Sequence, residues 1–123
     1  MKVLLSIKPQ FVKEIFNGTK KFEYRKAIFK NRDIKTVVIY ATMPIGKVVG
    51  EFEIDSIIEK HPQDIWEETK QYSGVSKEFY YQYFHGRDKG YAIGIKRLKE
   101  YKKPKCPHKL YGKFTAPQSF KYV

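Results

Sequence analysis

A chain of 123 residues, 41% apolar and 16% aromatic, can bury a core of its own, which excludes a disordered tail and suits a single domain over residues 1–123. Its 25 Lys and Arg against 13 Asp and Glu give +12, so polyanions, nucleic acid above all, are its natural partners. A lone cysteine, Cys106, rules out an intramolecular disulfide, and no apolar stretch reaches transmembrane length, so the expectation is a cytoplasmic protein without membrane association.

In chain order, "VLLSI" (Val3 to Ile7) reads as a buried strand that Lys8 and Pro9 end. Pro9 suits the first turn of a helix, and Phe11, Val12, Ile15 and Phe16 then fall on one helical face. Gly18 is placed to close that helix in a left-handed conformation. The next strand, "FEYR", puts Phe22 and Tyr24 on one face and Glu23 and Arg25 on the other. "TVVIYATMP" is a β-branched and aromatic run, expected of a strand buried on both faces and stopped by Pro44. "GKVVGEFEID" alternates, with Gly50 marking a bulge or a sharp bend.

Pro62 and Asp64 mark a helix start at "HPQDIWEETK". "YSGVS" is a turn, and Ser76 caps a second helix, "KEFYYQYF", in which Phe79, Tyr80, Tyr83 and Phe84 form a core stripe and Tyr81 is left exposed. Gly86 stops it, "YAIGIKRLKEY" is a long strand, and beyond Pro104 the chain is irregular, with a tail that can add a strand. The order β-α-β-β-β-α-α-β implies the α+β class, a small barrel flanked by two to three helices.

Residues 51–68 hold seven of the thirteen acids and one basic residue, Lys60, so the rest of the chain carries a basic surface. Lysine outnumbers arginine 21 to 4, which favours nonspecific attraction over base reading. The tail lysines Lys99, Lys102, Lys103, Lys105, Lys109 and Lys113 read as a solvated basic rim. Cys106 and His108 lie between prolines without a third orienting group, and His61, His85 and His108 lack ligand spacing, so neither a thiol nucleophile nor a metal site is expected, and no cofactor is implied.

Lys20, Glu23 and Arg25 remain. Glu23 and Arg25 share a strand face about 7 Å apart, and Lys20 joins them only if "TKK" is still loop. A carboxylate so flanked would accept hydrogen bonds from the exocyclic amine of a base. Spacing by itself leaves the trio an exposed ion-pair ladder of little energetic consequence. Tyr81, with His85, Arg87 and Lys89 nearby, would suit base stacking beside phosphate contacts. The acids Glu51, Glu53 and Asp55 could instead pair with a basic face of another subunit.

"GTKKFEYR" fits Gly-x-Lys-x-x-Glu-x-Arg, which resembles the signature of the ASCH domain (activating signal cointegrator homology) family. "LLSIKPQFVKEIFNG", "VVIYATMPIGKVVGEFEI", "GYAIGI" and "APQSFKYV" are similar to family segments, so the resemblance covers the whole chain. It implies a PUA-like β-barrel that binds RNA or a nucleotide in a cleft lined by Gly18, Lys20, Glu23 and Arg25; Arg87 and Lys89, from their place beside Tyr81, are further candidate contacts. Stand-alone members are often described as transcriptional regulators. Some members of this size hydrolyse acetylated cytidine with a lysine, a threonine and a glutamate, and ribonuclease activity also occurs in the family. On that pattern Lys20 matches the lysine, Glu23 stands at the threonine's position, and Glu67 and Glu68 are the candidates for the second carboxylate. A catalytic lysine needs a depressed pKa, and the charge of Glu23 works against one.

Overall fold

The computed structural model describes all 123 residues. Six strands and four helices alternate as β1 (Val3–Ile7), α1 (Pro9–Phe16), β2 (Phe22–Arg25), β3 (Thr36–Ala41), β4 (Lys47–Lys60), α2 (Pro62–Thr69), α3 (Lys77–Tyr83), β5 (Gly90–Lys105), α4 (Pro107–Tyr111) and β6 (Phe120–Tyr122). The strands form one curled sheet in the order β2-β5-β4-β3-β1-β6, a half-barrel of the α+β class. Only β1 and β3 run parallel, and α1 lies in the connection that this requires.

The expected elements are present, with three differences. Strand β4 continues past Asp55 to Lys60, because its partner β5 runs on beside it from Gly90. Strand β5 passes through Pro104, a position near its end and far from the central pairings. The segment expected to be irregular then forms α4, with Pro107 in its first turn. Opposite Ile39 and Tyr40 the register skips Val49, so the bulge expected at Gly50 lies there. A Cβ on Gly50 would come within 2.5 Å of the Lys99 carbonyl, which explains the glycine.

Strand alternation divides the core. Val3, Leu5 and Ile7 of β1 and Val37, Ile39 and Ala41 of β3 point inward, where Val12 and Ile15 of α1 close over them with Phe52 and Ile93. Leu4, Val38 and Tyr40 point outward into a second cluster with Val48 and Phe114. This accounts for the nearly continuous apolar runs in β1 and β3, which are largely buried on both faces. A third cluster lies under α2 and α3, where Tyr24, Ile65, Trp66, Tyr80, Phe84 and Ala92 pack. Tyr81 belongs to its margin rather than to solvent. Its ring lies 6.2 Å from Trp66 and 5.2 Å from Tyr80, because α2 packs against the flank of α3 that periodicity left open.

The barrel does not close through backbone pairing, since β2 and β6 are its two edges. Arg25 spans the gap. Its Nη2 donates to the Ser6 carbonyl at 2.8 Å on β1, and its Nη1 donates to the Ser119 carbonyl at 3.3 Å just before β6.

Candidate functional site

The site begins at the end of α1. Gly18 adopts φ +87°, which turns the chain so that the backbone N–H groups of Thr19 and Lys20 both donate to the Glu14 carbonyl. The Thr19 hydroxyl also contacts the Glu14 carboxylate. Lys20 is therefore still loop when its side chain enters the protein, and it pairs with Ser73 through an isolated bridge. Gly74 adopts φ +67°, and a Cβ there would collide with the Lys20 methylenes. The turn "YSGVS" is thus shaped to let Lys20 pass.

Lys20, Glu23 and Arg25 converge, and they are buried, at 2%, 5% and 9% exposure. The exposed ladder that spacing suggested does not form, because α1, the 73–75 turn and the C-terminal segment cover this face of β2. Arg25 Nη2 lies 2.9 Å from Glu23 Oε2. Lys20 Nζ lies 4.0 Å from Glu23 Oε1 and donates to the Ser73 carbonyl at 2.9 Å. Beyond 3.5 Å an ion pair is no longer a hydrogen bond, so Oε1 keeps its capacity to accept one. The ammonium also faces the rings of Tyr24 at 4.5 Å and Phe11 at 5.5 Å.

Burial lowers the Lys20 pKa from 10.5 to about 8, with Glu23 pushing it up and Arg25 pushing it further down. Desolvation thus outweighs the carboxylate that was expected to hold the lysine charged. Tyr24 is pushed up to about 12, chiefly by burial. Arg25 Nε is buried without a hydrogen-bond partner. An unpaired buried donor costs free energy that a ligand acceptor would recover.

These three residues form the floor of a pocket of about 210 Å³. Its walls are Phe11 of α1 and Phe79, Tyr80 and Tyr83 of α3, with Tyr24 beside the floor. Ser6, Lys8 and Gln118 complete its mouth. Phe79 and Tyr83 present nearly parallel rings, 10° apart, one helical turn from each other. Periodicity assigned both to the core, but each is half-buried and borders the pocket. An i, i+4 pair of large aromatics was the available signal, and it does not by itself distinguish a core stripe from a pocket wall.

The other candidates stand apart. Gly18 shapes the turn and does not line the pocket. Lys89 is exposed and paired with Glu59 at 3.2 Å, while Arg87 is exposed beyond α3. Glu67 and Glu68 pair with Lys70 and Lys60 on the surface, so Glu23 is the one carboxylate lining the pocket. Glu51 and Glu53 pair within the chain, with Lys2 and Arg97.

A family model described as ASCH domain matches residues 5–106. Large ribosomal subunit protein uL22 of Ureaplasma parvum serovar 3 is 28% identical over 121 residues, 98% of this chain and 39% of that protein. An ASCH domain-containing ribonuclease of Zymomonas mobilis subsp. mobilis is 29% identical over 90 residues, 73% of this chain and 61% of that one. The chain thus spans less than two thirds of the length of either relative. The crystal structure of ASCH from Zymomonas mobilis superposes with a TM-score of 0.90 at 25% identity, covering 99% of this chain and 87% of that one. A family model matching 5–106 of the 123 residues leads to one conclusion: this chain belongs to the ASCH domain family.

Proposed function

We propose that this protein binds single-stranded RNA by taking one base into the pocket over Lys20, Glu23 and Arg25. One observation carries the reading: an aromatic-walled pocket is lined at one end by three buried charged side chains, of which Glu23 keeps Oε1 outside hydrogen-bond range of Lys20. Such an acceptor would take the exocyclic amine of a nucleobase. The volume of about 210 Å³ is below the roughly 300–1,000 Å³ of sites for drug-sized ligands, which fits a single base rather than a folded helix. Phe79 and Tyr83 supply stacking faces, and the net charge of +12 attracts the backbone. Such a reader would serve regulation of transcription or translation in the cytoplasm.

Fluorescence anisotropy with short unstructured RNAs tests this. Tyr83→Ala is expected to weaken binding by about 1–3 kcal/mol, the range for one lost stacking partner, without changing the salt slope. Equal affinity of Tyr83→Ala and Glu23→Gln with the parent chain would remove the pocket from RNA binding.

A second reading, hydrolysis of RNA or of acetylated cytidine in the same pocket, is favoured by the depressed pKa of Lys20 beside Glu23 and by the ribonuclease relative. A lysine titrating near pH 8 can serve as a base there. Against it, Glu23 is engaged by Arg25 and no further carboxylate lines the pocket. Incubation with each substrate and chromatography of the products separates the two readings. Turnover abolished in Lys20→Met would establish hydrolysis, and turnover no greater than in Lys20→Met would dispose of it.

A further inference from the structure

We propose that Lys8 and Lys26 form a phosphate-binding rim at the pocket mouth, holding the backbone of the nucleotide whose base is inserted. This rests on the base-binding reading above. The buried cations are already engaged within the protein. Lys20 donates to the Ser73 carbonyl, and Arg25 holds Glu23 and the Ser6 and Ser119 carbonyls. A base filling about 210 Å³ leaves a phosphate no path to the floor. The phosphate must lie at the mouth, and the cations placed there decide its position.

Arg25 ties the end of β2 to the end of β1 through the Ser6 carbonyl. The cations that follow those two strands, Lys26 and Lys8, stand beside that tie. Both are exposed, and neither takes part in any of the chain's salt bridges. Lys8 borders the pocket, and the Lys26 ammonium sits 4.7 Å from the centre of the Tyr83 ring that walls it. A lysine held on an aromatic face keeps its charge and its hydrogen-bond donors for an incoming anion. The opposite side of the pocket is different. There the depression continues past Phe11 and Phe79 to Gln10 and Glu14, and a carboxylate repels phosphate.

Isothermal titration calorimetry on the full chain tests the rim, with the four ribonucleosides and their 5′- and 3′-monophosphates as probes. At least one monophosphate is expected to bind about tenfold or more tightly than its own nucleoside, the gain of a charge-assisted contact. That ratio is expected to fall to about twofold in the Lys8→Gln/Lys26→Gln variant and to persist in Lys113→Gln, a lysine remote from the pocket. A nucleoside that binds as tightly as its monophosphates, a ratio that survives in the double variant, or a ratio lost equally in Lys113→Gln would each overturn the rim and leave the base pocket standing. No binding of any nucleoside or monophosphate would overturn the base pocket, and the rim with it.

Discussion

Arg25 donates to the Ser6 carbonyl at 2.8 Å, across the gap that backbone pairing leaves open in the half-barrel. The same guanidinium holds Glu23 at 2.9 Å, so barrel closure and the pocket floor depend on one side chain. Arg25 therefore has an architectural role as well as a place in the pocket. Of its guanidinium, only Nε is left without a partner.

Removing Arg25 should accordingly cost more than removing a surface cation. Arg25→Ala leaves Glu23 buried beside Lys20 alone and unties β2 from β1 and the C-terminal segment. Urea unfolding should show a loss of about 3–5 kcal/mol, against a far smaller one for breaking an exposed pair such as Lys70 with Glu67. A loss as small for Arg25→Ala would mean that the guanidinium does not close the barrel.

Gly74 provides a second test of how Lys20 is placed. Gly18 and Gly74 both have positive φ, but only at Gly74 would a Cβ meet the Lys20 side chain. Gly18→Ala should cost about 1–2 kcal/mol of backbone strain. Gly74→Ala should cost that plus a further ~1–3 kcal/mol of overpacking. Equal costs for the two variants would contradict the close passage of Lys20 over the turn.

The folded pKa of Lys20, about 8, lies below its value of 10.5 in the unfolded chain. Between those values the unfolded state binds more protons, so stability rises with pH over this window and is lost as pH falls through about 8. Above pH 10.0 the raised pKa of Tyr24, about 12, works in the opposite direction, because the unfolded tyrosine ionises first. The clean window is therefore roughly pH 8 to 10. Urea unfolding at pH 7.5 and 9.5 should differ by about 2 kcal/mol more in the parent chain than in Lys20→Met. A parallel pH response in both would mean that Lys20 is not desolvated.

Most of the fold was legible because the relevant signals are local. Pro9, Gly18 and Ser76 mark helix ends, and the alternation after Gly46 marks β4. The extents of β4 and β5 were not legible, since each strand continues only because the other lies beside it. The site shows the same division. Glu23 and Arg25 share a strand face that the sequence reveals, but burial of that face also depends on the 73–75 turn and residues near Ser119, both distant in sequence. Nothing within "FEYR" distinguishes a buried charge cluster from a solvated one. Phe79 and Tyr83 were read as core for the same reason, because a pocket wall and a core stripe have the same spacing.

The central claim is that RNA meets this protein at the pocket rather than along its basic tail. Backbone amide chemical-shift mapping with a short single-stranded RNA at moderate salt addresses it directly. A base-binding pocket predicts shifts concentrated at Phe11, Lys20 to Lys26, Val75 and Phe79 to Tyr83, and their loss in Glu23→Gln. Shifts confined to Lys102, Lys103, Lys105, Lys109 and Lys113, fading with salt and unaltered in Glu23→Gln, would contradict it.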